Sequence, residues 1–400
     1  MRYRTSAIWP SLLALALAAC NSSATSGPSS KVEIQKITKD NQTAISGTAL
    51  DVTVRVRKDG APYPNARVSF SVIKGGGALS ETSVVTGTNG EASTLWLLGY
   101  PAGEQVLRAK VDRDSVLFTA TATKPQAGKS YYGRKSYIEY RPGDLPIILS
   151  APHGGDQTPS EIADRTSGTI GRDTYTRELT VEVSNAFQSL TGKRPHIIIN
   201  HLHRRKLDAN REIVEAAQGD PYSERAWYEF QHFIDTARKI VELDHGRGFY
   251  IDMHGHGHEI PRLELGYLLT STELAQSDAV LNQAAMINKS SIRTLATQSN
   301  LTFSQLLRGP NSFGDMLVRR GYPAVPSSSD PHPNGQPYFN GGYNTGRHGS
   351  RSGGKIDGLQ IEHHSAGVRN TAAARQAYAR ALAETLIEYL DVHMGIKLVK

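Results

Sequence analysis

A chain of 400 residues with 38% hydrophobic and 21% charged side chains has an ordinary globular composition and the length for two or three domains. Its formal charge of +7 is a modest excess to which Arg2 and Arg4 contribute, and the absence of any dense Lys/Arg run excludes a nucleic-acid binder. Cys20 is the single cysteine, so no disulfide forms within the chain and each domain must stand on its own core.

At the start of the chain, Arg2 and Arg4 precede an apolar stretch from Ala7 to Ala19 that ends in Leu17-Ala18-Ala19-Cys20. A stretch this short, with basic residues before it and small residues at its end, reads as a cleaved export signal rather than a membrane span. It resembles the bacterial lipobox. The resemblance implies a lipoprotein signal peptide over 1–19, a mature chain beginning at Cys20, and acyl chains on that thiol that anchor the protein to a membrane. Asn21 is not the aspartate associated with inner-membrane retention in many Gram-negative lipoproteins, so the expected location is the outer membrane of a bacterial envelope. Residues 20–30 hold nothing that could pack and read as a flexible tether.

From Lys31 to Thr123 the pattern has period two: Val32, Ile34 and Ile37, then Leu50, Val52, Val54 and Val56, then Val68, Phe70 and Val72. Turn chemistry at Asp59-Gly60, Gly75-Gly76-Gly77 and Asn89-Gly90 separates the runs. About seven short strands spaced in this way predict an all-β sandwich. The segments Ala66-Arg-Val-Ser-Phe-Ser-Val72, Thr88-Asn-Gly-Glu-Ala92 and Leu95-Trp-Leu-Leu-Gly99, together with the triple glycine, resemble the bacterial immunoglobulin-like domains of intimin and invasin. Such a module spaces a neighbour from the membrane or presents a surface partner. All fourteen histidines lie at or after His153, which leaves the sandwich without an obvious transition-metal site.

Residues 124–130 read as a linker, and beyond them, over 130–400, the period changes. Pro146–Ser150, His196–Asn200, Gly248–Asp252 and Gly358–Glu362 read as buried strands. Asp173–Leu190, Tyr222–Leu243, Gln283–Gln298 and Asn370–Val392 carry helical spacing. Alternation of this kind predicts an α/β domain with a mostly parallel sheet.

Each strand runs into polar residues: Ala151-Pro-His-Gly-Gly-Asp156, His203-Arg-Arg-Lys-Leu-Asp-Ala-Asn-Arg211, Asp252-Met-His-Gly-His-Gly-His258 and Gln360-Ile-Glu362. Ligands of open α/β sheets bind at the carboxyl ends of the strands, so these segments should converge on one crevice. Imidazoles with carboxylates suit Zn²⁺, and a catalytic zinc takes three protein ligands and a water. His153 and His254 are the leading ligands. Asp156, in the same loop as His153, is assigned as the third, with Glu161 in reserve. His256 and His258 are either ligands or partners that orient ligands, and Asp252 stands where it could orient an imidazole.

The order Pro152-His-x-Gly, Arg204-x-x-x-Asp208-x-Asn-Arg211, Asp252-x-His254 and Gln360-Ile-Glu362 resembles the N-formylglutamate amidohydrolase family, itself similar in fold to the zinc carboxypeptidases. The likeness spans about residues 130 to 395. It implies that His153 and His254 bind zinc, that Glu362 is general base and acid, that Arg204 faces the developing oxyanion, and that Asn210 and Arg211 hold a substrate carboxylate. Asp156 departs from the carboxypeptidases, which place a glutamate there.

Hydrolysis of an amide in a small, carboxylate-bearing substrate, such as an N-acyl amino acid or a peptide end, is the expected function. A carboxypeptidase or amidase acting on cell-wall peptide or poly-glutamate is an alternative, and a binding lipoprotein with an inactive hydrolase domain is another. The segment from Leu307 to Gly354, rich in Gly, Pro, Ser and Asn, is expected to cover the substrate.

Overall fold

A computed structural model of the chain describes residues 30–399. The expected signal peptide, the acylated Cys20 and all of the tether but Ser30 lie outside the described residues.

Residues 32–123 build two five-stranded sheets packed face to face. One centres on Ala49–Lys58 and Glu91–Leu98, the other on Gly103–Val111 and Asp114–Thr123. Alternate side chains point inward, as period two requires: Val52, Val54 and Val56 from one sheet meet Phe70, Leu107, Ala109 and Phe118 from the other, around the buried Trp96. Asp59 and Gly60 both adopt positive φ, the backbone twist that closes a two-residue hairpin. The sandwich therefore has more strands than the seven that turn spacing suggested, because short edge pieces such as Gly77–Leu79 and Ser83–Val85 fall below the length at which alternation is visible.

The remainder forms one eight-stranded sheet covered by helices. Its strands are β1 (Tyr131–Tyr132), β2 (Ile138–Arg141), β3 (Ile147–Ala151), β4 (His196–Asn200), β5 (Gly248–Gly255), β6 (Leu263–Gly266), β7 (Ala324–Val325) and β8 (Ile356–His363). They lie in the order β1-β2-β4-β3-β5-β8-β6-β7. The central four, β4-β3-β5-β8, are parallel, whereas β1, β2 and β6 pair antiparallel with their inner neighbours. The sheet is thus mixed at its margins rather than mostly parallel throughout. The central strands are buried on both faces, as a doubly covered sheet demands.

Three long helices supply the cover: α1 (Thr176–Thr191), α2 (Pro221–His245) and α3 (Ala372–Met394). Asp220 caps α2 by accepting from the backbone N–H groups of Tyr222 and Ser223, with Pro221 in the first turn where its missing N–H costs nothing. Leu149, Phe249, Ile251, Met253 and Ile361 face α1 and α3, while Ile148, Ile198 and Tyr250 face α2. The helix expected over Gln283–Gln298 is broken into Ala284–Lys289 and Arg293–Gln298, with Ser290 extended between them. The expected cover over Leu307–Gly354 contains helices Phe313–Arg319 and Tyr343–His348 as well as β7, so the irregular part contracts to 326–342.

Helix α2 also docks on the sandwich. Arg225 pairs with Asp51 and donates to Ala49 O at 3.1 Å, His232 donates to Leu98 O at 3.0 Å, and Tyr228 Oη donates to Ser80 O. A β-carbon at Gly47 would stand 2.8 Å from the Phe233 ring, and the φ of +95° there also favours glycine.

Candidate metal centre

The chain runs from β3 through α1 to β4 on one side, and from β4 through α2 to β5 on the other, so the carboxyl ends of β3 and β5 flank the point where the winding reverses. This is where an open α/β sheet leaves a crevice. His153 follows β3 and His254 ends β5, and their ring centroids are 4.7 Å apart.

Strand register sets the rest. Ser150, Asp252 and Gln360 are neighbours across β3, β5 and β8, and His254, Glu362 and Glu264 are neighbours across β5, β8 and β6. Paired residues project to the same face, so these six side chains form two adjacent rows on the α2 side of the sheet.

Both imidazoles are held in the same way. His153 Nε2 lies 2.6 Å from Asp208 Oδ1, and His254 Nε2 lies 2.8 Å from Asp252 Oδ2. Both Nδ1 atoms turn to Asp173 Oδ2, at 3.4 Å from His153 and 3.2 Å from His254. His153, Asp173 and His254 are buried and could together hold a metal ion. His153 Nδ1 has no hydrogen-bond partner although it is buried. An orphaned ring nitrogen aimed at a carboxylate, with the other nitrogen on a second carboxylate, is the arrangement of a metal-ligating histidine.

The electrostatics favour a positive charge at this point. Burial alone would depress the His254 imidazole, but the carboxylates of Asp252, Asp173 and Glu362 hold it well above the ordinary histidine range. Glu362 Oε1 stands 3.9 Å from His254 Nδ1 and accepts from Gln360 Nε2 at 2.9 Å. Burial pushes the Glu362 carboxyl up to about 8, with help from the nearby charges of Asp173 and Glu264 and against that of His254.

The expected third ligand, Asp156, and its reserve, Glu161, stand elsewhere. The Asp156 carboxylate is half exposed and bound by Arg177 and Arg172, not by the imidazoles. Gly155 turns this loop back against His201, which carries Asp156 outward. The reserve, Glu161, is taken by Arg134, Lys135 and Tyr137. Arg211, with over a third of its side chain exposed, pairs at i,i+4 with Glu215 and donates to Asn210 O, and its charge still helps to hold the Asp208 carboxyl down. Arg204 and Asn210 do stand in the site. Arg204 donates from Nε to Asp208 Oδ2 at 2.9 Å with Nη1 3.6 Å from Asp173 Oδ1. Asn210 Nδ2 lies 3.2 Å from His254 Nε2 and 3.4 Å from Gln360 Oε1, while its Oδ1 accepts from Asn344 N.

The sequence reading missed Asp173 as the third group of the cluster, Asp208 as the partner of His153, and Arg369. The Arg369 guanidinium donates to His363 O, Thr174 O and His256 O, tying the ends of β8 and β5 to the loop that carries Asp173.

No family model matches the chain, and no curated protein matches it. Among solved structures it is similar to the D00–D0 domain of intimin, at 24% identity over 24% of this chain and 46% of that one, TM-score 0.19. It is also similar to a C-terminal 282-residue fragment of intimin solved with the intimin-binding domain of the translocated intimin receptor, at 22% identity over 35% and 40%, TM-score 0.21. Invasin, a bacterial integrin-binding protein, follows at 19% identity over 30% and 23%, TM-score 0.19. The chain spans less than half the length of each of these three structures.

Proposed function

We propose that residues 130–400 form a zinc-dependent amidohydrolase with a zinc-carboxypeptidase-like fold, resembling the N-formylglutamate amidohydrolases. It would hydrolyse an amide in a small substrate that bears a carboxylate. The observation that carries this reading is the pair of imidazoles whose Nε2 atoms are fixed by Asp208 and Asp252 while their Nδ1 atoms converge on Asp173. His153, Asp173 and His254 would hold the metal.

Bound zinc supplies Lewis-acid polarisation of the scissile carbonyl and acidifies water. Glu362, beside His254, takes a proton from the attacking water at its carboxylate and passes it to the leaving nitrogen. The amide C–N bond breaks, the hydroxyl goes to the acyl carbon and the proton to the amine. For the first transfer Glu362 must be ionised, and the charge of a cation held by His153, Asp173 and His254 would oppose the burial that otherwise keeps it protonated. Arg204, beside Asp208 and Asp173 at the edge of the cluster, would stabilise charge developing on the carbonyl oxygen. Asn210 and Arg211 are the expected pair for gripping a carboxylate, and Arg204 is a further candidate.

The leader supports a lipid-anchored envelope protein in which the sandwich is a spacer between Cys20 and the hydrolase. Cys20→Ala should leave an uncleaved or soluble precursor, seen by fractionation. The test of activity is to strip the purified protein of metal, restore zinc, and assay N-acyl amino acids and short peptides beside their carboxyl-amidated forms. Zinc-dependent release of amine, faster from the free acids, is expected. One bound zinc with no hydrolysis of any member of the panel would overturn the enzyme reading in favour of a binding protein.

A further inference from the structure

Beyond the first centre lies a second cluster that shares none of its residues. His256 and His258 follow β5, and Glu264 lies on β6 directly across from Glu362. His258 Nδ1 is 2.7 Å from Glu264 Oε1, His256 Nδ1 is 4.0 Å from the same oxygen, and all three ligand atoms lie within 4.8 Å of one another.

Three features prepare this group for a cation. His256 donates its Nε2 proton to Arg262 O at 2.8 Å, which leaves a lone pair on Nδ1, the atom that faces Glu264. That Nδ1 accepts only the His258 N–H, at 3.1 Å, a bond that ligation would replace. The His258 ring is fixed by stacking on Phe339, 4.7 Å between centroids and 15° between planes. Glu264 is buried, yet among the described residues no Lys or Arg pairs with it, and its other oxygen accepts from Phe339 N at 2.8 Å. A buried carboxylate needs a positive partner, and here only imidazoles stand near enough to recruit one.

We propose that His256, His258 and Glu264 form a second site for a borderline divalent cation, Zn²⁺ in the first instance. The cation would fasten the 326–342 segment to the sheet through Glu264 and Phe339. Two imidazoles and a carboxylate match the donor preference of that ion, and a water or His364, whose ring centroid is 5.4 Å from that of His256, could complete the set.

The experiment is zinc stoichiometry by elemental analysis after dialysis, with calorimetric titration of metal-stripped full-length protein. It is run on wild type, His153→Ala, His258→Ala and Glu264→Gln. The last is nearly isosteric and keeps the bond from Phe339 N, which guards against misfolding of the histidine variant. Two zinc ions in wild type are expected, with one lost in His153→Ala and a different one weakened at least about 10-fold in His258→Ala and Glu264→Gln. One zinc that disappears in His153→Ala but binds unchanged in the other variants would overturn this proposal and leave the hydrolase reading standing. One zinc lost in His258→Ala and kept in His153→Ala would support the second site while removing the first. No zinc in wild type would overturn both.

Discussion

At the scale of single residues, the difference between Asp156 and Asp173 is the most informative. Asp156 was the natural choice from sequence because it shares a loop with His153, whereas Asp173 is twenty positions further on and reads as the acidic start of a helix. The fold brings Asp173 back through a backbone bond from its N–H to His153 O and through the grip of Arg369 on the neighbouring Thr174. No local pattern encodes that return. Asp173→Asn should therefore lose the same zinc that His153→Ala loses while Asp156→Asn keeps it, as read by elemental analysis; the reverse result would restore the sequence assignment. Glu362→Gln should retain zinc and lose turnover by roughly 10²- to 10⁴-fold, the range of a positioned general base. Near-wild-type kcat in that variant would remove Glu362 from the reaction. The histidines were legible because each stands at the end of a run too apolar to be anything but a central strand.

At the scale of elements, the same legibility holds for β3, β4, β5 and β8, whose mostly buried runs are covered on both faces. It fails for pairing register, which no composition specifies and which decides that Glu264 sits beside Glu362. Strand β4 begins, as read, at His196, which is polar yet wholly buried, with Tyr140 Oη 2.9 Å from its Nδ1. Burial pushes this imidazole down to about 3. The unfolded chain takes up a proton near pH 6.5 and the folded chain does not, so His196 costs no stability above that pH and weakens the fold as pH falls towards about 3. At pH 5 the loss from this group is about 2 kcal/mol. His196→Gln, which can still accept from Tyr140, should flatten the fall in denaturation temperature between pH 7 and pH 5; an unchanged slope would assign the acid sensitivity elsewhere. Arg369 acts between elements too. Arg369→Met keeps much of its volume but strands the carbonyls of His363, Thr174 and His256, and should cost about 3 kcal/mol in denaturant unfolding. A change under about 0.5 kcal/mol would mean that those carbonyls find water instead.

At the scale of the whole molecule, α2 belongs to two bodies at once. One face packs on the sheet that carries the site, and the other receives the sandwich through Arg225, Tyr228 and His232. Two domains could be read from the change of period at residues 124–130, but not this contact, because its polar residues look like the solvated side of an amphipathic helix. Deleting residues 31–123 should leave zinc binding intact, since every proposed ligand lies between His153 and Glu264, but uncover Phe233. A loss of about 2 kcal/mol would lower the denaturation temperature by roughly 4–8 °C. A fragment as stable as the full chain would show that the docking contributes nothing. The row His254, Glu362, Glu264 has a consequence for how such a chain can change over generations. Its members sit on three strands, of which β6 and β8 are joined by a long connection, and lengthening that connection in a surface turn leaves the row intact. Inserting or deleting one residue inside β5, β8 or β6 turns that strand's outer part over and sends its member of the row to the opposite face. Random insertion libraries should accordingly recover active variants lengthened in surface turns of that connection, and none altered in length within those three strands.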